Sequence, residues 1–211
     1  MKKIIVAGIC FFLFSCQNKE VLLPMAGETV VADVQDHSPI YFFFKTEEKD
    51  TLIEVNRKNS ISSTNWLFNI DKRLPLRLVI PEIKKLQNKK EGSVHKSETS
   101  ENYFTYTDTT KKRMAFLPFT KIRYQYEKPD GNATVITFDE NNLVRYKDEV
   151  FSKEQLAVFL NDSLKEVPST VTFCFSKKLS FDKYIQDKLF LKNLVITKKG
   201  VLINHGKEYI Y

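Results

Sequence analysis

The sequence predicts an α+β fold, with mainly antiparallel sheets and two main helices. Three observations carry this. Short β-branched and aromatic runs recur at 40–44, 51–55, 66–70, 103–107 and 170–176, each bounded by polar turn residues. Two stretches, 76–86 and 153–167, place apolar residues at helical spacing. The 211 residues are 42% hydrophobic and 13% aromatic with only 6 Gly and 7 Pro, which supplies a core for one compact domain or two small ones. That composition excludes collagen-like, elastic and wholly disordered chains.

At the N-terminus, Lys2 and Lys3 precede an apolar run over 4–14. As a helix that run spans roughly 17 Å, against a hydrocarbon core of about 30 Å, so it reads as a signal peptide and not as a permanent span. Its end, Leu13-Phe14-Ser15-Cys16, resembles the lipobox of bacterial lipoproteins. The resemblance implies cleavage after Ser15, a diacylglyceryl group on the Cys16 sulfur, and a further palmitate-like acyl chain on the new N-terminus. Residues 1–15 are then the signal peptide and 16–39 a lipidated N-terminus and tether. Each buried methylene contributes about 0.8 kcal/mol, so two or three chains anchor stably where one is marginal. Gln17 follows the cysteine, which by bacterial sorting rules favours the outer membrane. The stretch 17–20 lacks the acidic cluster of surface-exported Bacteroidota lipoproteins, so a periplasm-facing location is expected.

Cys10 leaves with the leader and Cys16 carries lipid, so Cys174 is the one thiol of the mature chain and no intrachain disulfide can form. Lys plus Arg number 33 against 26 Asp plus Glu, a formal net charge of +7. The cations are scattered in short groups such as Lys84-Lys85, Lys111-Lys112-Arg113 and Lys198-Lys199. In an exported chain this predicts a solvated surface with some attraction to anionic lipid or envelope polymer, and no nucleic-acid partner.

A short strand is expected at 29–34 within the tether, and a first lobe over 40–128. After the strands 40–44, 51–55 and 66–70, Asp71-Lys72-Arg73-Leu74-Pro75 leads into a helix over 76–86 that ends in lysines, as the helix dipole favours. Pro81 either kinks that helix or stands at the start of a shorter one. Over 88–102 Val94 is the one large apolar residue, so a mobile loop is expected. Strands resume at 103–107, 114–117 and 121–127.

A second lobe, 129–211, opens at the turn Pro129-Asp130-Gly131-Asn132. Strands at 133–138 and 143–147 flank a turn at 139–142. In the helix over 153–167, Ser152 and Gln155 form a capping box and Leu156, Phe159, Leu160, Leu164 and Val167 an apolar stripe, before Pro168 stops it. The alternation over 170–176 puts Val171, Phe173 and Phe175 on the core face and Thr172 and Cys174 on the other. Ser180 caps a short helix carrying Phe181, Tyr184 and Ile185, strand character returns over 189–197, and 201–203 with 208–211 read as a terminal hairpin about Asn204-His205-Gly206.

The order strand, turn, strand, capped helix, strand, short helix, strand over 134–196 resembles the periplasmic domain of the ExbD/TolR biopolymer-transport proteins. Phe138-Asp139-Glu140-Asn141-Asn142, Ser152-Lys153-Glu154-Gln155-Leu156 and Ser180-Phe181-Asp182-Lys183-Tyr184 carry the likeness. It implies a periplasmic scaffold and an accessory place beside an energy-transducing complex. That family has a transmembrane helix with a proton-linked Asp, whereas 4–14 is free of acids, so no functional residue carries over. The first lobe also runs strand, strand, helix, strand, which predicts a repeated unit.

The candidate binding surface is Trp66, Asp71, Lys72 and Arg73, where the chain's only Trp stands beside a mixed charge cluster: an aromatic anchor and a polar grip. In the alternative Trp66 is core, Asp71 starts the helix, and Lys72 and Arg73 are solvated. Tyr103-Phe104-Thr105-Tyr106 and Arg123-Tyr124-Gln125-Tyr126 could stack a sugar or peptide. His37, His95 and His205 have no second ligand at metal spacing, so no metal or cofactor is expected. No phosphate loop, nucleophile elbow or zinc helix is present in the sequence, and Cys174 sits inside a strand. The expectation is therefore a non-enzymatic binding or scaffold subunit, joined to the membrane by lipid and able to meet an envelope protein. The rival is an enzyme acting on glycan or peptide, with Asp139, Glu140 and Asp148 as its carboxylates.

Overall fold

The computed structural model describes residues 19–129, 133–164 and 168–211. The lipobox with Cys16, part of the 129–132 turn and Val167 lie outside them. The fold is α+β with two main mixed sheets. In the first part of the chain stand β1 (Met25–Ala26), β2 (His37–Glu47), β3 (Asp50–Asn56), β4 (Asn65–Ile70), α1 (Leu76–Glu91), β5 (Asn102–Asp108) and β6 (Arg113–Pro118). There follow β7 (Arg123–Gln125), β8 (Thr134–Phe138), β9 (Val144–Tyr146), β10 (Glu149–Phe151) and α2 (Lys153–Val158). The chain closes with β11 (Ser169–Phe175), α3 (Phe181–Asn193), β12 (Val201–Ile203) and β13 (Lys207–Ile210).

The two sheets repeat one connectivity. The first runs β1-β5-β4-β2-β3 with β6 added on β5; the second, read from its other edge, runs β7-β13-β11-β8-β9 with β10 beyond. In both, the neighbours are parallel as far as the closing hairpin, β2–β3 or β8–β9, which is antiparallel. Register matches as well: Ile40 stands opposite Phe68 as Ile136 stands opposite Phe173, and Phe42 opposite Val55 as Phe138 opposite Val144. The expectation of mainly antiparallel pairing is thus corrected. A helix between two strands of one sheet returns the chain to the same end, so the β4-α1-β5 and β11-α3-β13 crossovers force parallel neighbours.

The two units meet about an approximate two-fold relation. Leu76 N–H donates to the Leu179 carbonyl at 2.9 Å, and Phe181 N–H to the Leu74 carbonyl at 2.8 Å. Leu76 and Phe181 are the first residues of α1 and α3, so the same step of the motif is used twice in opposite directions. Each unit's leading edge strand also serves the other's helix. Met25 N–H donates to the Asp182 carboxylate of α3, while Gln87 of α1 donates to the Ile122 carbonyl and Arg123 pairs with Glu91 at 2.7 Å. One hydrophobic core runs through both units, from Ile40 and Phe68 to Phe175 and Tyr184. Burying Val79, Ile80, Ile83 and Leu86 of α1 alone contributes about 1.5–3 kcal/mol for each side chain.

This exchange corrects the tether and the lobe boundaries. Far from hanging free, residues 19–34 pack: Lys72 N–H donates to the Leu22 carbonyl, Thr107 N–H to Pro24, and Val31 exchanges bonds of 3.1 and 3.0 Å with Phe116. Val31 and Val34 cover Leu67, Tyr103 and Phe116 on the outer face of the first sheet. The strand expected over 29–34 is this single Val31–Phe116 bridge. β1 therefore belongs to the first unit, and β7 to the second although it precedes position 129.

Local signals decide the helices. Pro81 lies inside α1, where it leaves the Arg77 carbonyl without its helical donor. Ser152 and Gln155 form the expected capping box, but α2 ends at Val158 and continues as a π-helical turn, Phe159–Ser163. Leu156, Phe159, Leu160 and Leu164 are buried as their stripe predicts. Ser180 caps α3; of the strand expected over 189–197, residues 189–193 are the end of that helix, which buries Leu189 and Leu191, and 194–197 form no strand. β11 is central, so Cys174 and Thr172 are buried with Val171, Phe173 and Phe175, and both faces of the strand are core. The terminal hairpin is also corrected: β12 and β13 each pair parallel with β11, at Ser169–Val171 and at Cys174–Phe175. Asn204 makes the step between them, its N–H donating to Val171 and its side chain accepting from Gly206 and Lys207.

Candidate functional site

The four residues proposed from sequence do not form one surface: Trp66 lies near the start of β4, while Asp71, Lys72 and Arg73 follow its other end and form a junction. Trp66 is fully buried; its indole N–H donates to the Ile61 carbonyl at 2.7 Å and Lys90 lies over its ring. An exposed aromatic anchor is therefore ruled out at Trp66, because alternation along β4 turns it inward with Phe68 and Ile70. Asp71 is also buried. Its carboxylate accepts from the N–H groups of Leu22 and Arg73 and from the Arg73 guanidinium in a two-pronged contact at 2.8 Å. Burial would raise its pKa, but the Arg73 bonds and the two backbone donors together hold it below the usual value. Arg73 lies over the Phe44 ring, and the Lys72 carbonyl accepts from Asp182 at the start of α3. Asp71, Lys72 and Arg73 close the joint between the N-terminal segment and the two units.

Of the remaining sequence candidates, Asp139 holds its own turn, accepting from Asn141 and Leu143 and pairing with Arg145 at 2.8 Å. Glu140 reaches Lys178 at 3.9 Å. Phe104 and Tyr106 are buried, so the Tyr103–Tyr106 run offers no stacking platform on that face. Among the described residues no group of His, Cys, Asp and Glu is placed to hold a metal ion.

The strongest site lies elsewhere, in a cavity of about 310 Å³ between the end of β6, β11, α3 and the step into β13. Its walls are Leu117 and Pro118 of the first unit with Phe173, Phe175 and Leu191 of the second. Lys188, Lys192, His205, Lys207 and Glu208 bring its polar groups. Leu117, Phe173, Phe175 and Leu191 are buried, whereas Lys192, His205 and Lys207 are exposed, so an apolar floor meets a cationic rim. Such a mixture of apolar wall and a few convergent polar groups is the usual make-up of a ligand site.

Glu208 sits at the inner end. Its carboxylate accepts from the Tyr184 hydroxyl at 2.5 Å and pairs with Lys188, and Tyr184 is 3.2 Å from the Tyr124 hydroxyl. Full burial, with the Glu208 charge beside them, pushes both phenols well above their ordinary pKa, so they stay protonated and donate. The negative charge of Glu208 is thus spent inside the protein. Lys192 and Lys207 make no side-chain hydrogen bond or ion pair among the described residues. The site therefore presents net positive charge at its mouth.

Comparison with known protein families, curated proteins and solved structures finds no match. The chemistry of the cavity must be read from its own residues. Sequence reasoning passed over them because it ended α3 early, which hid Lys188 and Lys192 as neighbours one turn apart on one helix face. One signal was available: in the terminal strand Glu208 shares its phase with buried Ile210, and an acid in a core phase marks a built polar site.

Proposed function

We propose that this chain is a lipid-anchored cell-envelope protein acting as a non-enzymatic binding subunit, with the cavity beside Glu208 as its ligand site. The cavity carries the reading for binding: an apolar floor and a cationic rim suited to holding a ligand by contact and charge. Leu13-Phe14-Ser15-Cys16 supports the anchor. Lys19 pairs with Glu54 and stands three residues after Cys16 in the chain, so the attachment point can be no more than about 11 Å from it. The body would then ride close to the outer-membrane surface and face the periplasm. The test is metabolic labelling with an alkyne-bearing fatty acid, followed by membrane fractionation. Label and outer-membrane recovery that both vanish in Cys16→Ala support the anchor; label that persists in that variant refutes it.

A second reading, an accessory component of an ExbD/TolR-type complex, is supported by the run β8, β9, α2, β11, α3, which keeps the order strand, strand, capped helix, strand, helix, with β10 inserted before α2 and without the closing strand expected up to 196. It predicts that mild crosslinking in native membranes captures motor subunits with this protein. Capture of the protein alone would leave the first reading standing.

A further inference from the structure

The duplicated unit gives an internal reference for the cavity. Counted from the first residues of α1 and α3, Lys188 and Lys192 hold the positions of Ile83 and Gln87, while Leu191 matches Leu86. Along the returning strands, Glu208 precedes the Cys174–Tyr209 pair by one residue and so falls opposite Phe173, as Phe104 falls opposite Phe68. Lys207 then corresponds to Tyr103. The first unit fills this place with rings: Phe104 stacks on Phe119 with centroids 3.7 Å apart, and Phe68 packs edge-on against both. The second unit keeps the apolar strand residues but puts four charges where the first has none, and there the cavity opens. A scaffold that can close this space with an aromatic stack has left it open and cationic.

We infer that the cavity binds a small amphiphilic anion, a carboxylate, sulfonate or phosphonate carried on one aromatic ring or a short hydrocarbon body. This rests on the cavity being the ligand site. The apolar body lies against Phe173, Phe175 and Leu191, and the anionic group meets Lys192 and Lys207 at the rim. Lys188 and Glu208, bonded to each other and to Tyr184, hold the inner wall. They leave no free inward acid to repel the ligand. Charge sets the sign of the ligand and the floor requires its apolar part, so neither a bare anion nor a neutral ring satisfies both halves.

Benzoate, benzamide and acetate separate these requirements, added to the full-length protein and followed by ligand-observed NMR. Benzoate is expected to bind, with transferred contacts from its ring to Phe173 and Phe175. Benzamide and acetate are expected to bind at least about tenfold more weakly. The exposed pair Lys192→Gln/Lys207→Gln, which leaves the core intact, should reduce benzoate to the level of benzamide. Glu208→Phe with Lys188→Ile, which restores the first unit's residues, should abolish binding of all three. Equal binding of benzoate and benzamide, or of benzoate and acetate, overturns the ligand class while leaving the cavity as a site. Absence of binding by every probe, or ring contacts that map away from Phe173 and Phe175, overturns the cavity itself. The lipid-labelling result is independent of either outcome.

Discussion

Glu208 of β13 stands where Phe104 stands in β5, so one residue position of a repeated unit is a buried ring in the first copy and a buried carboxylate in the second. The two choices carry different energies. A ring contributes through burial and stacking, whereas a carboxylate must be matched by donors, here Lys188 and Tyr184.

Removing one partner of that buried set should therefore cost more than replacing it. Glu208→Ala leaves Lys188 and two phenols facing an unfilled space and is expected to lose about 3–5 kcal/mol, read from urea or guanidinium midpoints. Glu208→Phe with Lys188→Ile should cost far less, within about 1–2 kcal/mol of the parent. A double variant as unstable as Glu208→Ala would show that the two units are not interchangeable at this point.

Asp71 joins the N-terminal segment to the first unit, and Asp71→Ala should lose about 2–4 kcal/mol, because it strands the Leu22 and Arg73 N–H groups together with the guanidinium. Hydrogen exchange should report the loss locally, with Leu22, Thr107 and Thr109 amides exchanging faster as residues 22–26 lift away. Unchanged protection there would mean that the segment is held without Asp71.

Asp187 should give stability an unusual pH term. Buried in α3 beside Lys153, with the Asn142 amide also facing it, its carboxyl is pushed up to about 6 from 3.8 by desolvation that these partners only partly offset. Between those values the folded state binds the proton more tightly than the unfolded chain, so this group's contribution to stability falls as the pH rises from about 4 to about 6. Carboxylates held low, Asp71 and Asp139, act with the opposite sign and lose their contribution as pH drops below their unfolded values. Asp187→Asn should therefore make the stability profile steeper in its rise between pH 4 and 6. An unaltered profile would mean that Asp187 titrates normally.

Cys174 should be inert in the folded protein. It is fully buried in β11, and desolvation pushes its thiol up to about 11, so little thiolate exists at pH 8. Labelling by an aromatic disulfide reagent should run at the rate of unfolding or local opening and accelerate with urea. Fast labelling without denaturant would contradict the burial of the strand.

Much of the local structure is written in particular residues. Ser152 with Gln155 marks the start of α2, and Ser180 the start of α3, because side-chain oxygens satisfy amides that no helix can satisfy for itself. Alternation over 170–176 marks Val171, Phe173 and Phe175 as core residues, and all three are buried. The sequence alone also determined the α+β class. It pointed to a repeat as well, but matched the 76–86 helix to the capped helix over 153–167, whereas the sheets pair α1 with α3 and leave α2 as an insertion between β10 and β11.

Strand direction, the boundary between the units and the cavity beside Glu208 were decided only by tertiary structure. Whether two strands run parallel depends on how the chain returns, a non-local fact that the period of side chains does not encode. The edge strand β1 is too short to announce itself, and although β7 lies within the strand expected over 121–127, its place beside the second unit is not legible locally; each edge strand meets donors or acceptors from the opposite unit's helix. Glu208 and Lys188 are 20 residues apart in the chain. They become one site only because α3 folds back over β13, where burial makes each the necessary partner of the other.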